Sequence, residues 1–141
     1  MATTLKEPGT TRLARSRLES YALGEWVRGG GTGSDLFHAV TGEKIGEASS
    51  EGLDFKAMVD YARRVGGPAL RKLTFHERAR MLKAMATYLS GRKEEFYAIS
   101  YATGATKGDN WIDIDGGIGT TFVFASKGRR EFPDETFYVD G

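Results

Sequence analysis

The sequence predicts an α/β fold in which a short β-hairpin is followed by about four helices. Two short alternating runs flank a Thr-Gly-Glu turn at residues 41–43, which is typical of a hairpin. Apolar residues then recur at helical spacing in successive segments between residues 54 and 125. The Thr-Phe-His-Glu run at residues 74–77 is a capping box, and it marks the start of the clearest helix.

Size and charge exclude several classes of protein. A chain of 141 residues and 15.4 kDa is one domain, or a piece of a larger one. With 20 basic and 19 acidic residues, the net charge of +1 gives no sign of binding to nucleic acid or to membranes. Apolar runs fall far short of the roughly 20 residues that a bilayer span needs, and no secretory signal is evident. We therefore expect a cytoplasmic protein without nucleic-acid or membrane partners.

The residue types exclude some chemistry within these 141 residues. The sequence has no cysteine, so it can form no disulfide, no thiolate metal site and no cysteine nucleophile. Its two histidines, His38 and His76, lie in unrelated contexts, which argues against a metal site. A Gly-x-Ser-x-Gly turn that would present a serine nucleophile is also absent. We expect no catalytic, cofactor-binding or metal-binding residue here.

The first part of the chain is expected to contain little regular structure. Residues 1–18 are mostly polar, with a Pro-Gly breaker, and we expect a mobile arm. Residues 21–27 form a short strand candidate with two aromatic side chains. The glycine cluster at residues 29–33 lacks the Gly-Lys-Ser/Thr of a phosphate-binding loop, so it is interpreted as a flexible connection.

The predicted hairpin consists of residues 36–40 and 44–48. Alternation along its first strand places Leu36, His38 and Val40 on one face. We interpret His38 as a strand residue with no catalytic part.

Three helices are predicted before the glycine-rich stretch. The first covers residues 54–65 and ends at the Gly-Gly-Pro of residues 66–68. The second runs from the capping box to about Leu89, and the third covers residues 92–103. A strand is expected to begin at residues 136–141, cut short and therefore without a partner.

The stretch at residues 110–127 fits no simple template. Its larger side chains recur at offsets of three and four, which is helical spacing. Gly116, Gly117 and Gly119 interrupt that pattern, and each costs a helix interior about 1 kcal/mol relative to alanine. Two interpretations remain open. The stretch is either a loop between two short helices or a buried helix with one face stripped of side chains for a ligand.

The order of these elements resembles the amino-terminal region of the aldehyde dehydrogenase superfamily. Thr-Gly-Glu at residues 41–43, Glu-Arg-Ala at 77–79, and Thr-Gly at 103–104 with Lys107 match motifs that recur there in this order. Longer motifs are similar to the members that act on CoA-linked semialdehydes in phenylacetate and benzoyl-CoA degradation, among them dehydrogenases fused to an oxepin-CoA hydrolase. These longer motifs lie at residues 49–55, 66–70, 73–79, 101–106 and 111–120.

The resemblance implies that residues 19–135 are the hairpin and helices of a Rossmann-type cofactor-binding domain, truncated after residue 141. The parent enzyme would use NADP or NAD, with a catalytic cysteine and a general-base glutamate beyond this fragment, which would bind no cofactor alone. Its partners would be the remainder of the chain, a CoA-linked semialdehyde and further copies in a homo-oligomer. The alternative is a non-catalytic helical interaction domain derived from a truncated aldehyde dehydrogenase gene.

The resemblance also implies a site. The helix at residues 111–124 would border the tunnel through which the aldehyde reaches the cysteine, with Ile112 and Gly116 as tunnel-lining positions. Glycine at position 116 would widen the tunnel for a bulky CoA thioester. The competing interpretation is that Gly116 only lets two backbones approach each other.

Overall fold

The structure, a computed structural model, describes residues 17–139. These residues form two compact units. The first contains residues 17–55 and 94–110, and the second contains residues 56–93 and 111–139. Short antiparallel strand pairs are followed by helices, so the predicted α/β class is confirmed.

The chain opens with a hairpin where the sequence predicted one strand at residues 21–27. Strand β1 (Ser20–Ala22) pairs antiparallel with β2 (Glu25–Val27). Leu23 and Gly24 join them, and both have positive φ, 55° and 96°. Two such residues make a tight turn whose twist matches that of paired strands. The sequence signal was weak because leucine rarely adopts this conformation.

The predicted second hairpin is present and is slightly shorter than expected. Strand β3 (Ser34–Phe37) pairs antiparallel with β4 (Lys44–Ala48). The register shifts between Leu36 and Phe37, which ends the regular ladder just before the turn.

His38 therefore lies in the turn, and its interpretation as a strand residue is wrong. Its ring Nδ1 accepts hydrogen bonds from the backbone N–H groups of Val40 (3.2 Å) and Thr41 (3.3 Å). The backbone N–H of His38 donates to the backbone carbonyl of Glu43 at 2.8 Å. The side chain is buried, and it holds the turn by supplying an acceptor that the backbone lacks.

The glycine-rich segment at residues 29–33 is held in place rather than left as a flexible connection. The guanidinium of Arg17 donates to the carbonyls of Gly30 (2.6 Å) and Gly31 (2.7 Å). The hydroxyl of Ser49 donates to Gly30 as well, at 2.7 Å. These bonds satisfy carbonyls that a glycine loop would otherwise expose to water.

Two residues of the expected N-terminal arm are bonded to β4. The N–H of Leu18 donates to the carbonyl of Glu47 at 2.7 Å, and Arg17 forms an ion pair with the same residue at 3.6 Å. The rest of the arm predicted at residues 1–18 lies outside the described residues.

The first long helix continues through the Gly-Gly-Pro of residues 66–68, so its predicted end is wrong. Gly67 donates its N–H to the carbonyl of Ala62, five residues back, which is the bond of a wider π-helical turn. Pro68 then stands in the first turn of the next helical segment, where no N–H is needed. The consecutive segments are α1 (Phe55–Tyr61), a π-helical turn (Ala62–Gly66) and α2 (Gly67–Arg71).

The remaining helical segments are α3 (Phe75–Ser90), α4 (Lys93–Tyr101), α5 (Lys107–Asn110), a π-helical turn (Trp111–Asp115) and α6 (Gly116–Arg130). Helices α3 and α6 pack against each other along small side chains. Their buried apolar residues are Ala79, Ala86, Ile118 and Ala125. Gly128 continues this contact, since a Cβ there would lie 3.1 Å from the Cβ of Ala79. The core of the second unit is thus a close helix–helix crossing.

The capping box predicted for α3 is confirmed. Thr74 Oγ1 accepts from the N–H of Glu77 at 3.1 Å, and Glu77 Oε2 accepts from the N–H of Thr74 at 2.8 Å.

We expect Thr74→Ala to lower the free energy of unfolding by about 1–2 kcal/mol, as loss of a cap does. Urea denaturation followed by circular dichroism measures this. Thr121→Ala is the control, because that hydroxyl only bonds the Gly117 carbonyl within α6, and its loss should change stability little.

The chain after α6 folds back onto the start of α3. The ring of Phe132 stacks on Phe75 with centroids 4.9 Å apart, and the N–H of Phe75 donates to the carbonyl of Glu135 at 2.9 Å. Residues 136–139 form no strand, in contrast to the strand predicted at 136–141, and residues 140–141 lie outside the described residues. The reason is that no partner strand pairs with them in the described part of the chain.

Candidate functional site

The candidate site is built on the helical stretch from Trp111 to Arg130, in the second unit. Helix α5 passes into the π-helical turn Trp111–Asp115, which passes directly into α6. Of the two interpretations left open by the sequence, the helix is therefore correct and the loop is wrong. The wider turn falls at the Trp-Ile-Asp-Ile-Asp run, and single π-helical turns within α-helices often occur at functional sites.

One side of this stretch is anchored. Ile118 and Ala125, two turns apart, are buried in the contact with α3. Asp115 forms an ion pair with Lys93, and both side chains are mostly shielded from solvent. An apolar contact and an ion pair together fix which way the start of α6 faces, because rotation about the helix axis would break both.

The other side is open. A Cβ placed on Gly116, Gly117 or Gly119 would meet nothing within 4 Å. Next to these glycines, Trp111 and Ile112 are 70% and 64% exposed. The stretch therefore combines a bare helical backbone with large exposed apolar side chains. The expected helix is present, but its glycine side is uncovered rather than buried.

Among the described residues, no backbone approaches Gly116 closely. The interpretation that this glycine only lets two backbones meet thus has no partner in the described part of the chain. Gly128 shows what such a glycine looks like, since a Cβ there would press on Ala79. Close packing against α3 therefore accounts for glycine at position 128 but not for glycine at position 116.

Comparison with known proteins identifies the context of this helix. The model of the aldehyde dehydrogenase family matches residues 26–140. The chain belongs to the aldehyde dehydrogenase family. It is also 40% identical over 114 residues to the 3,4-dehydroadipyl-CoA semialdehyde dehydrogenase of Aromatoleum evansii. That alignment covers 80% of this chain and 22% of the relative, so the chain spans about a fifth of that protein's length.

In this aldehyde dehydrogenase segment, the structure brings the two predicted tunnel residues together on the uncovered side. Ile112 stands in the π-helical turn and Gly116 is the first residue of α6, about one turn further on. Both are exposed. Their tunnel-lining role stays a prediction, and their position leaves room for one.

Hydrogen bonds to neighbouring residues shift the pKa of two side chains of this aldehyde dehydrogenase segment, Asp109 and Lys44. Hydrogen bonds from Thr106, first of its hydroxyl and second of its backbone N–H, hold the pKa of the Asp109 carboxyl below the usual value. The Asp35 carboxylate, bonded to Lys44 at 2.5 Å, raises the pKa of that ammonium. The first pair caps α5 and the second joins β3 to β4. Among the described residues, no three His, Asp or Glu side chains form a metal-binding group.

One surface of the family segment was missed by sequence reasoning. A groove of about 620 Å³ lies between α3 and α6 in the second unit. Its lining residues are Arg80, Lys83, Ala84, Thr87, Tyr88 and Arg129. Sequence reasoning did not identify the groove, because Arg129 is far from Arg80 and Lys83 along the chain. In the range 17–139, no helix has the length and apolarity to cross a membrane.

Proposed function

We propose that this chain is the N-terminal part of an NAD(P)-dependent aldehyde dehydrogenase that oxidises a CoA-linked semialdehyde during the degradation of an aromatic compound. The observation that carries the proposal is the 40% identity to a dehydrogenase named for such a substrate. The cofactor is NADP or NAD, and the enzyme is a cytoplasmic homo-oligomer.

The chemistry of this enzyme divides between the chain and the rest of the protein. A cysteine thiolate outside these 141 residues, which contain no cysteine, adds to the aldehyde carbon. The nicotinamide cofactor, held by parts of the enzyme outside these residues, would accept the hydride of the aldehyde carbon, and water activated by a glutamate there would hydrolyse the enzyme thioester to the acid. This segment contributes the wall past which the aldehyde travels. Ile112 offers an apolar surface there, and Gly116 keeps the passage wide.

The uncovered apolar surface supports a role as one part of a larger fold. On the helix that carries the candidate site, four large apolar side chains are each more than half exposed: Trp111, Ile112, Val123 and Phe124. Large apolar patches on a protein surface usually mark a place where another protein surface packs. The remainder of an aldehyde dehydrogenase chain is the partner that we propose for this one.

The proposal is tested by assaying NAD(P)H formation from two proteins, the 141-residue chain and the natural enzyme that contains it. The substrates are 3,4-dehydroadipyl-CoA semialdehyde and a CoA-free aliphatic aldehyde, each with NAD and with NADP. We expect no turnover by the chain, which lacks a nucleophile, and a higher kcat/KM of the enzyme for the CoA-linked substrate.

Two results would contradict this proposal. One is protein-dependent NAD(P)H formation by the 141-residue chain. The other is an enzyme that oxidises the CoA-free aldehyde as well as the CoA-linked one. A monodisperse chain with a sharp, cooperative thermal transition and no active longer form would instead identify an independent interaction domain.

A further inference from the structure

We propose that the groove between α3 and α6 binds the phosphate groups at the nucleotide end of CoA. This proposal rests on the proposed function, because it assigns a place to the part of the substrate that does not react. It names Arg80, Lys83 and Arg129 as the anchoring side chains.

Close packing of the two helices builds the groove. Gly128 has no side chain, and a Cβ there would lie 3.1 Å from that of Ala79. The adjacent residue, Arg129, lines the same groove as Arg80, the neighbour of Ala79 in α3. Lys83 follows Arg80 by three residues, so the two lie on one side of α3. Three cationic side chains from two helices thus line the same groove.

The charge of the groove is not compensated by protein groups. Within residues 17–139, the side chains of Arg80, Lys83 and Arg129 make no ion pair or hydrogen bond, and no carboxylate lines the groove. Glu131, the acidic residue two positions after Arg129, forms its ion pair with Lys127 instead, at 3.7 Å. Like charges that line one groove repel each other, and a bound polyanion would remove that repulsion. Guanidinium groups also match phosphate oxygens with two parallel hydrogen bonds.

The groove also has an aromatic side that suits a nucleotide better than a free phosphate. Tyr88 is 60% exposed at its edge, and Ala84 and Thr87 complete the lining with small side chains. The guanidinium of Arg92, outside the groove lining, lies 5.2 Å from the centroid of the Tyr88 ring. Exposed aromatic rings next to cations are a common platform for a nucleobase that carries phosphates.

The distance along α6 fits a CoA substrate that reaches both positions. Gly116 and Arg129 are thirteen residues apart, about 20 Å along the helix axis. In CoA, the pantetheine arm separates the thioester from the phosphates by a long flexible chain. A substrate held by its phosphates at the groove can therefore extend along the helix toward the glycine side.

Isothermal titration calorimetry of the 141-residue chain tests the groove without any oxidation step. The probes are CoA, dephospho-CoA, adenosine 3′,5′-bisphosphate, pantetheine and inorganic pyrophosphate. We expect CoA and the bisphosphate to bind, dephospho-CoA to bind more weakly and pantetheine not to bind. Affinity should fall steeply as salt is raised, because exposed ion pairs are screened.

The variants compare charge in the groove with charge elsewhere. We expect the double variant Arg80→Gln/Arg129→Gln to weaken CoA binding about tenfold, the effect of losing charge-assisted hydrogen bonds at an exposed site. Arg63→Gln is the matched control, since Arg63 is exposed on the π-helical turn after α1 and outside the groove lining. Circular dichroism shows whether each variant keeps its fold.

The same double variant in the natural enzyme provides a second measurement. We expect a higher KM for the CoA-linked semialdehyde and an unchanged KM for a CoA-free aldehyde. An equal effect of Arg63→Gln, or equal binding of pantetheine and CoA, would overturn the proposal. Binding of pyrophosphate as tight as that of CoA would overturn the nucleotide assignment. The calorimetry contains no aldehyde, so a failure of the proposed oxidation leaves its result unaffected.

Discussion

Replacing Gly29 with alanine is expected to destabilise the chain by about 3 kcal/mol, close to the limit of what a small domain tolerates. An alanine Cβ at this position would lie 2.1 Å from the carbonyl oxygen of Ser49 and 2.6 Å from its carbonyl carbon. Both are backbone atoms of the residue that follows β4, so they cannot rotate away as a flexible side chain would. The segment must separate from β4, which breaks the Ser49–Gly30 hydrogen bond.

The neighbouring glycine provides a matched control. A Cβ on Gly30 would be 3.7 Å from its nearest neighbour, an ordinary contact, so Gly30→Ala should change stability by less than about 1 kcal/mol. Thermal and urea unfolding of both variants, followed by circular dichroism, measures the difference. If Gly29→Ala and Gly30→Ala unfold at the same temperature, the close contact with Ser49 does not exist in solution.

Local signals predicted the elements whose causes lie within a few residues. The two residues of the capping box, Thr74 and Glu77, are three positions apart, and the structure contains both of its hydrogen bonds. The Thr-Gly-Glu turn at residues 41–43 likewise identified the second hairpin. In each case, the groups that satisfy the backbone are neighbours in sequence, so the pattern contains the explanation.

Features that depend on distant contacts were not predicted. The glycine segment at residues 29–33 appeared flexible because its partners are remote. Arg17 precedes Gly30 by thirteen residues, and Ser49 follows it by nineteen. The end of the first helix was wrong for another reason. A single π-helical turn lets the chain pass Pro68 without a break, and apolar spacing and Gly/Pro signals do not distinguish such a turn from the end of a helix.

The candidate site was predicted only in part. Resemblance to a family placed Ile112 and Gly116 on one helix, and helical spacing agreed with it. Neither showed that the glycine side is uncovered in the described chain, because exposure depends on how α6 packs against α3. The basic groove was missed since Arg80 and Arg129 are far apart in sequence and meet only through the close approach at Gly128.

In the aldehyde dehydrogenase that we propose contains this chain, Gly116→Met is expected to lower kcat/KM for the proposed CoA-linked semialdehyde by about tenfold or more. The methionine side chain enters space that is empty in the described chain, so it need not disturb packing with α3. Methionine is also a better helix former than glycine, by somewhat under 1 kcal/mol. Stability should therefore stay the same or rise slightly while activity falls.

The substrate comparison decides whether Gly116 acts through tunnel width. A small aliphatic aldehyde should lose much less kcat/KM than the CoA-linked substrate, because it passes a narrower opening. Gly116→Ala is a further control, because it adds only one methyl group. We expect its loss of kcat/KM for the CoA-linked substrate to lie between those of the unchanged enzyme and of Gly116→Met. Gly128→Met is the opposite control, since it presses on Ala79 and should lower the melting temperature. Equal losses on both substrates, or a lower melting temperature for Gly116→Met, would show that this glycine serves packing against a part of the enzyme outside these residues.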